Sequence, residues 1–313
     1  MKLITKNGIS LTSLTLGTVQ LGVPYGIANR SGMPDEARSR LILETALGGG
    51  VVSYDTAQGY GGSETVLGNF LPMKQELTLI TKIVIQAEAS LTELELERTV
   101  IGQVEISLDR LKISRIPILM LHHASDILRY REPLVRIFER LMRDGYARKA
   151  GASFGADPTA HSREIWSFMK QPVFEALQVP INLLDQRLLN SGLLDEMRRA
   201  GKIVFARSIF LQGLMLLEHH DIPSNLQTAE RYINQLRLIA DREGVTITEL
   251  AVAYVRDMPG VDSLVIGAET SDQVAANINL MRAAPISERT RYEILKLTSD
   301  VPELIISPQL WGR

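Results

Sequence analysis

Asp55 and Tyr60 stand five residues apart in "VVSYDTAQGYGGSETVLG", residues 51–68, where a β-rich apolar run gives way to glycine-rich backbone. Lys82 closes another apolar run, and His122 and His123 close a third. A tyrosine hydroxyl, with an ordinary pKa of about 10, is a poor proton donor at neutral pH. A nearby ammonium stabilises the tyrosinate, and a carboxylate paired with that ammonium holds it charged and in place. Asp55, Lys82 and Tyr60 together therefore make a general acid/base suited to a carbonyl oxygen, and a histidine beside them can orient that oxygen. The chain has no cysteine, so thiolate nucleophiles, disulfides and cysteine metal sites are absent. The chemistry that fits is carbonyl/alcohol redox with a borrowed hydride.

Each residue also has a plainer use. Asp55 before Thr56 and Ala57 can cap a helix. Lys82 can end a strand in solvent, or serve as the Schiff-base lysine of an aldolase. Tyr60 among glycines can be a turn aromatic, with Gly61 and Gly62 serving only turn geometry. The His122–His123 pair hints at metal, but neighbours on a strand point to opposite faces, which leaves His123 as a pocket wall. The convergence of all four polar groups on one place is what favours catalysis, and that depends on the elements that carry them.

Eight apolar, β-rich runs recur along the chain: "SLTLGT", "VVSYDT", "LTLITKI", "IPILMLHH", "ARKAGAS", "FEALQVPIN", "KIVFARS" and "DSLVIGA". They are near-continuous in apolar residues, as strands buried on both faces should be. Amphipathic stretches at 35–48, 98–111, 131–144, 225–241 and 271–281 lie between them. This alternation predicts parallel strands with right-handed crossovers. Eight of them in 313 residues fit a closed (β/α)8 barrel in one domain, a fold of about 250 residues. An open doubly wound sheet would carry G-x-G-x-x-G after its first strand, and "GTVQLGVPYG" does not fit. The N-terminus reads as a small hairpin turning at Asn7-Gly8. Barrel sites lie at the C-terminal ends of strands. Asp55, Lys82, His122, Ser153, Gln178, Arg207, Ser208 and Glu269 all fall there.

The net charge of −2 advertises no nucleic-acid or anionic-membrane partner. No segment is long and apolar enough for a membrane span or a signal peptide, so the expected location is cytoplasmic. No metal is expected, and the oligomeric state is left open.

The ordered motifs resemble those of the aldo/keto reductase family nearly end to end. They are "LGT" at 16–18, "DTAQGYGGSETVLG" with Glu64-x-x-Leu67-Gly68, "ITK" at 80–82, "SLDRL" at 107–111, "LH" at 121–122, "GAS" at 151–153, Gln178-x-Pro180-x-Asn182 and "IGAETSDQVAANI" at 266–278. The resemblance implies that Asp55, Tyr60, Lys82 and His122 are the catalytic four, with Tyr60 the proton donor. It implies an NAD(P)(H) cofactor held by Thr18, Ser153, Gln178, Arg207, Ser208, Gly267, Glu269, Gln273 and Asn277. Three positions depart from the family pattern. Phe154 replaces a common asparagine, Arg207 replaces an aromatic ring that stacks on nicotinamide, and Glu269 stands where NADP-using members carry a base. The last departure favours NAD(H). The expected substrate is a small aldehyde, ketone or sugar, selected by the loops at 20–32 and 123–132 and the tail at 306–313. Tyr25, His123 and Trp311, with Tyr130, are the candidate pocket residues. A catalytically slow, cofactor-binding regulatory subunit of the same fold is the alternative, and a Lys82 aldolase a more distant one.

Overall fold

Asn7 and Gly8, with φ of 52° and 73°, turn the chain from β1 (Leu3–Lys6) into the antiparallel β2 (Ile9–Thr12). This is the hairpin expected of an Asn-Gly pair, which accepts two successive left-handed residues. The structure, a computed structural model, describes residues 1–71, 77–85 and 91–312. After the hairpin come eight strands: β3 (Leu14–Gly17), β4 (Ser53–Asp55), β5 (Thr78–Ile83), β6 (Ile116–Leu121), β7 (Ala147–Ser153), β8 (Phe174–Pro180), β9 (Ile203–Arg207) and β10 (Ser263–Gly267). They pair in parallel in chain order, and β10 closes on β3 to complete a barrel. Every strand coincides with one of the eight apolar runs.

Helices fill the crossovers: α1 (Glu36–Gly48), α2 (Ser63–Phe70), α3 (Glu93–Leu111), α4 (Asp126–Arg143), α5 (Ser162–Met169), α6 (Arg187–Asn190), α7 (Leu193–Arg199), α8 (Glu230–Glu243), α9 (Ile247–Arg256), α10 (Ser271–Leu280), α11 (Glu288–Leu297) and α12 (Glu303–Ile306). Several start where side chains satisfy the first free N–H groups. Asp35 caps α1, and capping boxes Thr92/Glu95 and Thr246/Glu249 open α3 and α9. Helix α4 begins five residues before the expected 131, because a kink at Arg131, φ 46° and ψ −130°, splits it ahead of Pro133. The expected helix at 225–241 is a 3-10 stretch, Ser224–Ala229, followed by α8.

The barrel interior and the hairpin form one apolar cluster. Ile9 and Leu11 of β2 pack with Ile80, Ile118, Met120, Ala176, Ile203 and Phe205 of the strands, so the hairpin plugs the N-terminal end. Truncating a fully buried residue of this size costs about 2–5 kcal/mol. Strand side chains alternate with period two. Two residues beyond the inward-facing Ile80, Ala176 and Phe205, on the same strands, come Lys82, Gln178 and Arg207. The same parity that packs the apolar layer therefore aims the polar groups inward at the opposite, C-terminal end.

Candidate active site

Lys82 is fully buried, and its Nζ donates to both Asp55 carboxylate oxygens at 2.7 and 2.8 Å and to the Thr56 carbonyl at 2.9 Å. Its contact to Tyr60 Oη, at 3.5 Å, is too long for a strong hydrogen bond but close enough for charge to act. Burial alone would push the Lys82 pKa down, yet the Asp55 carboxylate and the Tyr60 hydroxyl outweigh it and hold the pKa above the ordinary lysine value. A Schiff-base lysine needs the opposite, a free neutral amine. Gln178 Nε2 also donates to Asp55 Oδ1 at 2.8 Å, and Ser153 Oγ reaches Gln178 Oε1 at 3.4 Å. The Thr18 N–H and hydroxyl both donate to the Asp55 backbone carbonyl, at 2.9 and 2.8 Å. Asp55 is therefore held from β3, β5 and β8 at once, rather than serving as a helix cap.

Tyr60 is fixed by backbone crowding. Gly22 lies so close to the Tyr60 carbonyl that a Cβ there would stand 1.8 Å from it, and a Cβ on Gly61 would meet the Gly22 carbonyl at 2.3 Å. Gly61 also has φ of 54°. Only glycine permits this approach of the loop after β3 to the loop after β4.

The His122 ring meets Tyr60 edge-on, with centroids 5.6 Å apart and planes at 88°. Burial, and then the charges of Lys82, His123 and Arg207, push the His122 pKa down to about 3, so the imidazole is neutral at physiological pH. Its Nδ1 is buried and has no protein partner among the described residues. The expectation that His122 and His123 face opposite ways does not hold. Strand β6 ends at Leu121, the strand rule lapses beyond it, and the two rings stack at 5.0 Å and 20°. No cluster of three or more His, Asp or Glu able to hold a metal occurs among the described residues.

A folded pKa of about 3, against about 6.5 unfolded, sets a pH dependence. Between these values the unfolded chain binds a proton that the folded chain refuses. Stability from this source is complete above about pH 6.5 and is lost as pH falls toward 3, at no more than about 1.4 kcal/mol per pH unit. Urea unfolding of wild type and His122→Gln between about pH 7 and 4.5 should show the variant losing less stability on acidification. Parallel curves would show that His122 does not contribute.

These groups open onto a cavity of about 540 Å³. Asp55, Tyr60, His122 and His123 line it at one end, and Gly267, Glu269, Gln273 and Asn277 at the other. Thr18, Tyr25, Ser153, Gln178, Arg207 and Ser208 also line it. Trp311, expected in the pocket, is not among its lining residues: it is 7 % exposed and its indole N–H donates to the Leu304 carbonyl at 2.7 Å, so it packs the tail. Tyr130 is likewise buried away from the cavity. Arg313, the last residue of the expected specificity tail, lies outside the described residues.

Sequence reasoning did not single out Gln20, Asn29 or Gln212, which also line the cavity. The loop at 20–32 crosses it: Ile27 N–H donates to Gln212 O at 3.2 Å, and Ser31 Oγ to Glu269 Oε2 at 3.3 Å. Ser208, Leu211 and Gln212 adopt φ of 63°, 49° and 54°, a concentration of left-handed residues typical of a ligand-binding loop.

An elongated ligand with polar ends and a flat ring suits this wall. Gln20 Oε1 and His122 Nδ1 are buried atoms without partners among the described residues, the Ser153–Gln178 contact is long, and the Arg207 guanidinium is planar. The N-terminal end of α10 supplies a positive dipole beside Gln273.

Comparison with known proteins agrees with this geometry. A protein of Schizosaccharomyces pombe, named as a voltage-gated potassium channel subunit beta, is 24 % identical over 329 residues, covering 96 % of this chain and 92 % of that one. The holo form of the aldo-keto reductase AKR11C1 from Bacillus halodurans superposes with a TM-score of 0.77 at 23 % identity, covering 98 % of this chain and 99 % of the other. Its apo form gives 0.72 at 22 %, with the same coverage. The model of the aldo/keto reductase family matches residues 13–297, and the chain belongs to that family of oxidoreductases.

Proposed function

We propose that the protein transfers a hydride between a bound nicotinamide cofactor and the carbonyl or alcohol carbon of a small aldehyde, ketone or sugar. The observation that carries this is the Asp55–Lys82–Tyr60–His122 cluster, set at the mouth of a cavity long enough to reach α10. A bound nicotinamide would supply the hydride. Ser153, Gln178 and Arg207 would hold its ring end, and Glu269, Gln273 and Asn277 the adenosine end. In reduction Tyr60 gives its proton to the carbonyl oxygen, Lys82 stabilises the tyrosinate that remains, and Asp55 anchors Lys82. Neutral His122 hydrogen-bonds the oxygen without competing for the proton.

NAD(H) is the expected cofactor. A 2′-phosphate needs a positive partner, and Arg207 is the one Lys or Arg among the described residues lining the cavity. At the α10 end stands Glu269, part-buried, with its backbone N–H bonded to Gln273 Oε1 at 2.7 Å. A carboxylate there repels a phosphate and accepts a bond from a ribose hydroxyl. A panel of aldehydes and sugars assayed with NADH and NADPH tests the whole reading. NADH should give the lower KM, and Glu269→Arg should gain affinity for NADPH. A wild-type preference for NADPH of about tenfold, or about 1.4 kcal/mol, would overturn the cofactor choice alone.

The Schizosaccharomyces pombe relative supports a second reading, a cofactor-binding subunit with slow turnover. Bound cofactor with no substrate-dependent oxidation across the panel would favour it.

A further inference from the structure

A second chamber, of about 430 Å³, adjoins the main cavity and shares Ala156, Arg207, Ser208 and Gln212 with it. Its far side is formed by Asn182, Asp185 and the tail at Ile306. Pro180 of β8 pairs with Arg207 of β9, and the Ile181 N–H donates to the Arg207 carbonyl at 3.1 Å. Neighbouring strands thus deliver Asn182 and Arg207 to the same edge.

Asn182 is 1 % exposed. Its Oδ1 accepts the Leu184 and Asp185 N–H groups at 2.9 and 3.0 Å, which fixes the orientation of the amide: the reverse would set donors against donors. Nδ2 is therefore a buried donor, and it has no partner among the described residues. Such a group is costly unless an acceptor reaches it. Asp185 does not offer one to a ligand, because Arg187 donates to both its oxygens at 2.9 and 2.8 Å. The same guanidinium donates to the carbonyls of Ala156 and Ile306 at 2.7 and 3.3 Å, fastening the tail over the chamber. Arg207 donates to Ser208 Oγ and the Phe154 carbonyl, so part of its donor set stays available. No carboxylate among the described residues pairs with it, and Asp185, the other charged residue lining the chamber, is paired with Arg187.

We infer that this chamber binds a carboxylate of the substrate, and that the substrate is an aldehyde or ketone bearing a carboxylate several carbons from its carbonyl. The chamber is assigned from its own geometry; the carbonyl rests on the function proposed above. A guanidinium edge and an amide N–H match a planar carboxylate.

The test compares ω-carboxy aldehydes of increasing length with their methyl esters, on wild type and on Asn182→Asp. That substitution keeps Oδ1 for the turn and replaces the donor with a second acceptor. Wild type should favour the acids by about tenfold or more in kcat/KM, through KM, and Asn182→Asp should abolish the preference. Calorimetry with hexanoate and hexanamide supplies a readout free of turnover: hexanoate should bind the wild type more tightly, and Asn182→Asp should lose that margin. If the binding margin appears but no aldehyde is reduced, the chamber assignment stands and the hydride chemistry falls. Equal use of acids and esters together with equal binding of the two hexanoyl probes would overturn the inference. So would an Asn182→Asp effect confined to the KM of the cofactor, or a preference for phosphate-bearing aldehydes. Asn182→Ser, which keeps a turn-forming acceptor, gives the same discrimination where Asn182→Asp fails to fold.

Discussion

Tyr60→Phe should bind nicotinamide cofactor nearly as well as wild type yet lose about 10²–10⁴-fold in kcat for carbonyl reduction, the range of a single general acid. The ring remains, so its edge-on contact with His122 and its seat beneath the Lys82 ammonium, 4.9 Å from the ring centroid, are kept. Only the proton is removed. Tyr60 is the group able to give it: His122 is held neutral, with its pKa near 3, and Lys82 keeps its proton, bound to Asp55 and Thr56. Cofactor affinity is read by fluorescence titration and the rate by single turnover. A variant that kept more than about a third of the wild-type rate would show that Tyr60 is not the acid. Loss of cofactor binding would instead mean that the hydroxyl holds the ligand.

What could be read in the sequence divides along physical lines. All eight barrel strands are visible because parallel strands buried on both faces leave near-continuous apolar runs. Asp55, Lys82 and Gln178 were placed because strand ends are fixed by those runs. Seven of the described helices fall outside the expected stretches, α5 and α9 among them. The first is short, and the second, "ITELAVAYVR", is apolar on nearly every face and shows little periodicity, although its capping box Thr246/Glu249 was there to be read. The His123 orientation failed because the strand rule was carried past Leu121. Trp311 failed for a different reason: a tail aromatic near a predicted site can face in or pack down, and only the Leu304 carbonyl decides it. Asn182 is legible in the sequence as a polar residue at the end of the sixth apolar run and as part of a motif. Its unpaired amide and the chamber beside it are products of tertiary structure, which no spacing encodes.

Lys82→Met should destabilise the fold by about 3–5 kcal/mol at neutral pH, the cost of leaving a buried charge without its partner. The Asp55 side chain is 4 % exposed, and Gln178 would be its sole remaining side-chain donor among the described residues. Lys82 itself contributes with a definite sign. Its folded pKa is raised, so the folded chain holds the proton beyond the range of the unfolded one. That stability is complete below the ordinary lysine value and is lost only as pH climbs through the raised one. Catalysis should fall as well, because the tyrosinate formed on proton transfer loses its counter-charge. The two effects separate in the double variant Asp55→Asn/Lys82→Met. Removing both charges leaves no unpaired ion, so most of the lost stability should return. Activity should not return, because nothing then stabilises the tyrosinate. Urea unfolding and single-turnover rates on the two single variants and the double variant complete the cycle. Recovery of stability and activity together in the double variant would assign the buried pair a structural role and remove Lys82 from the chemistry.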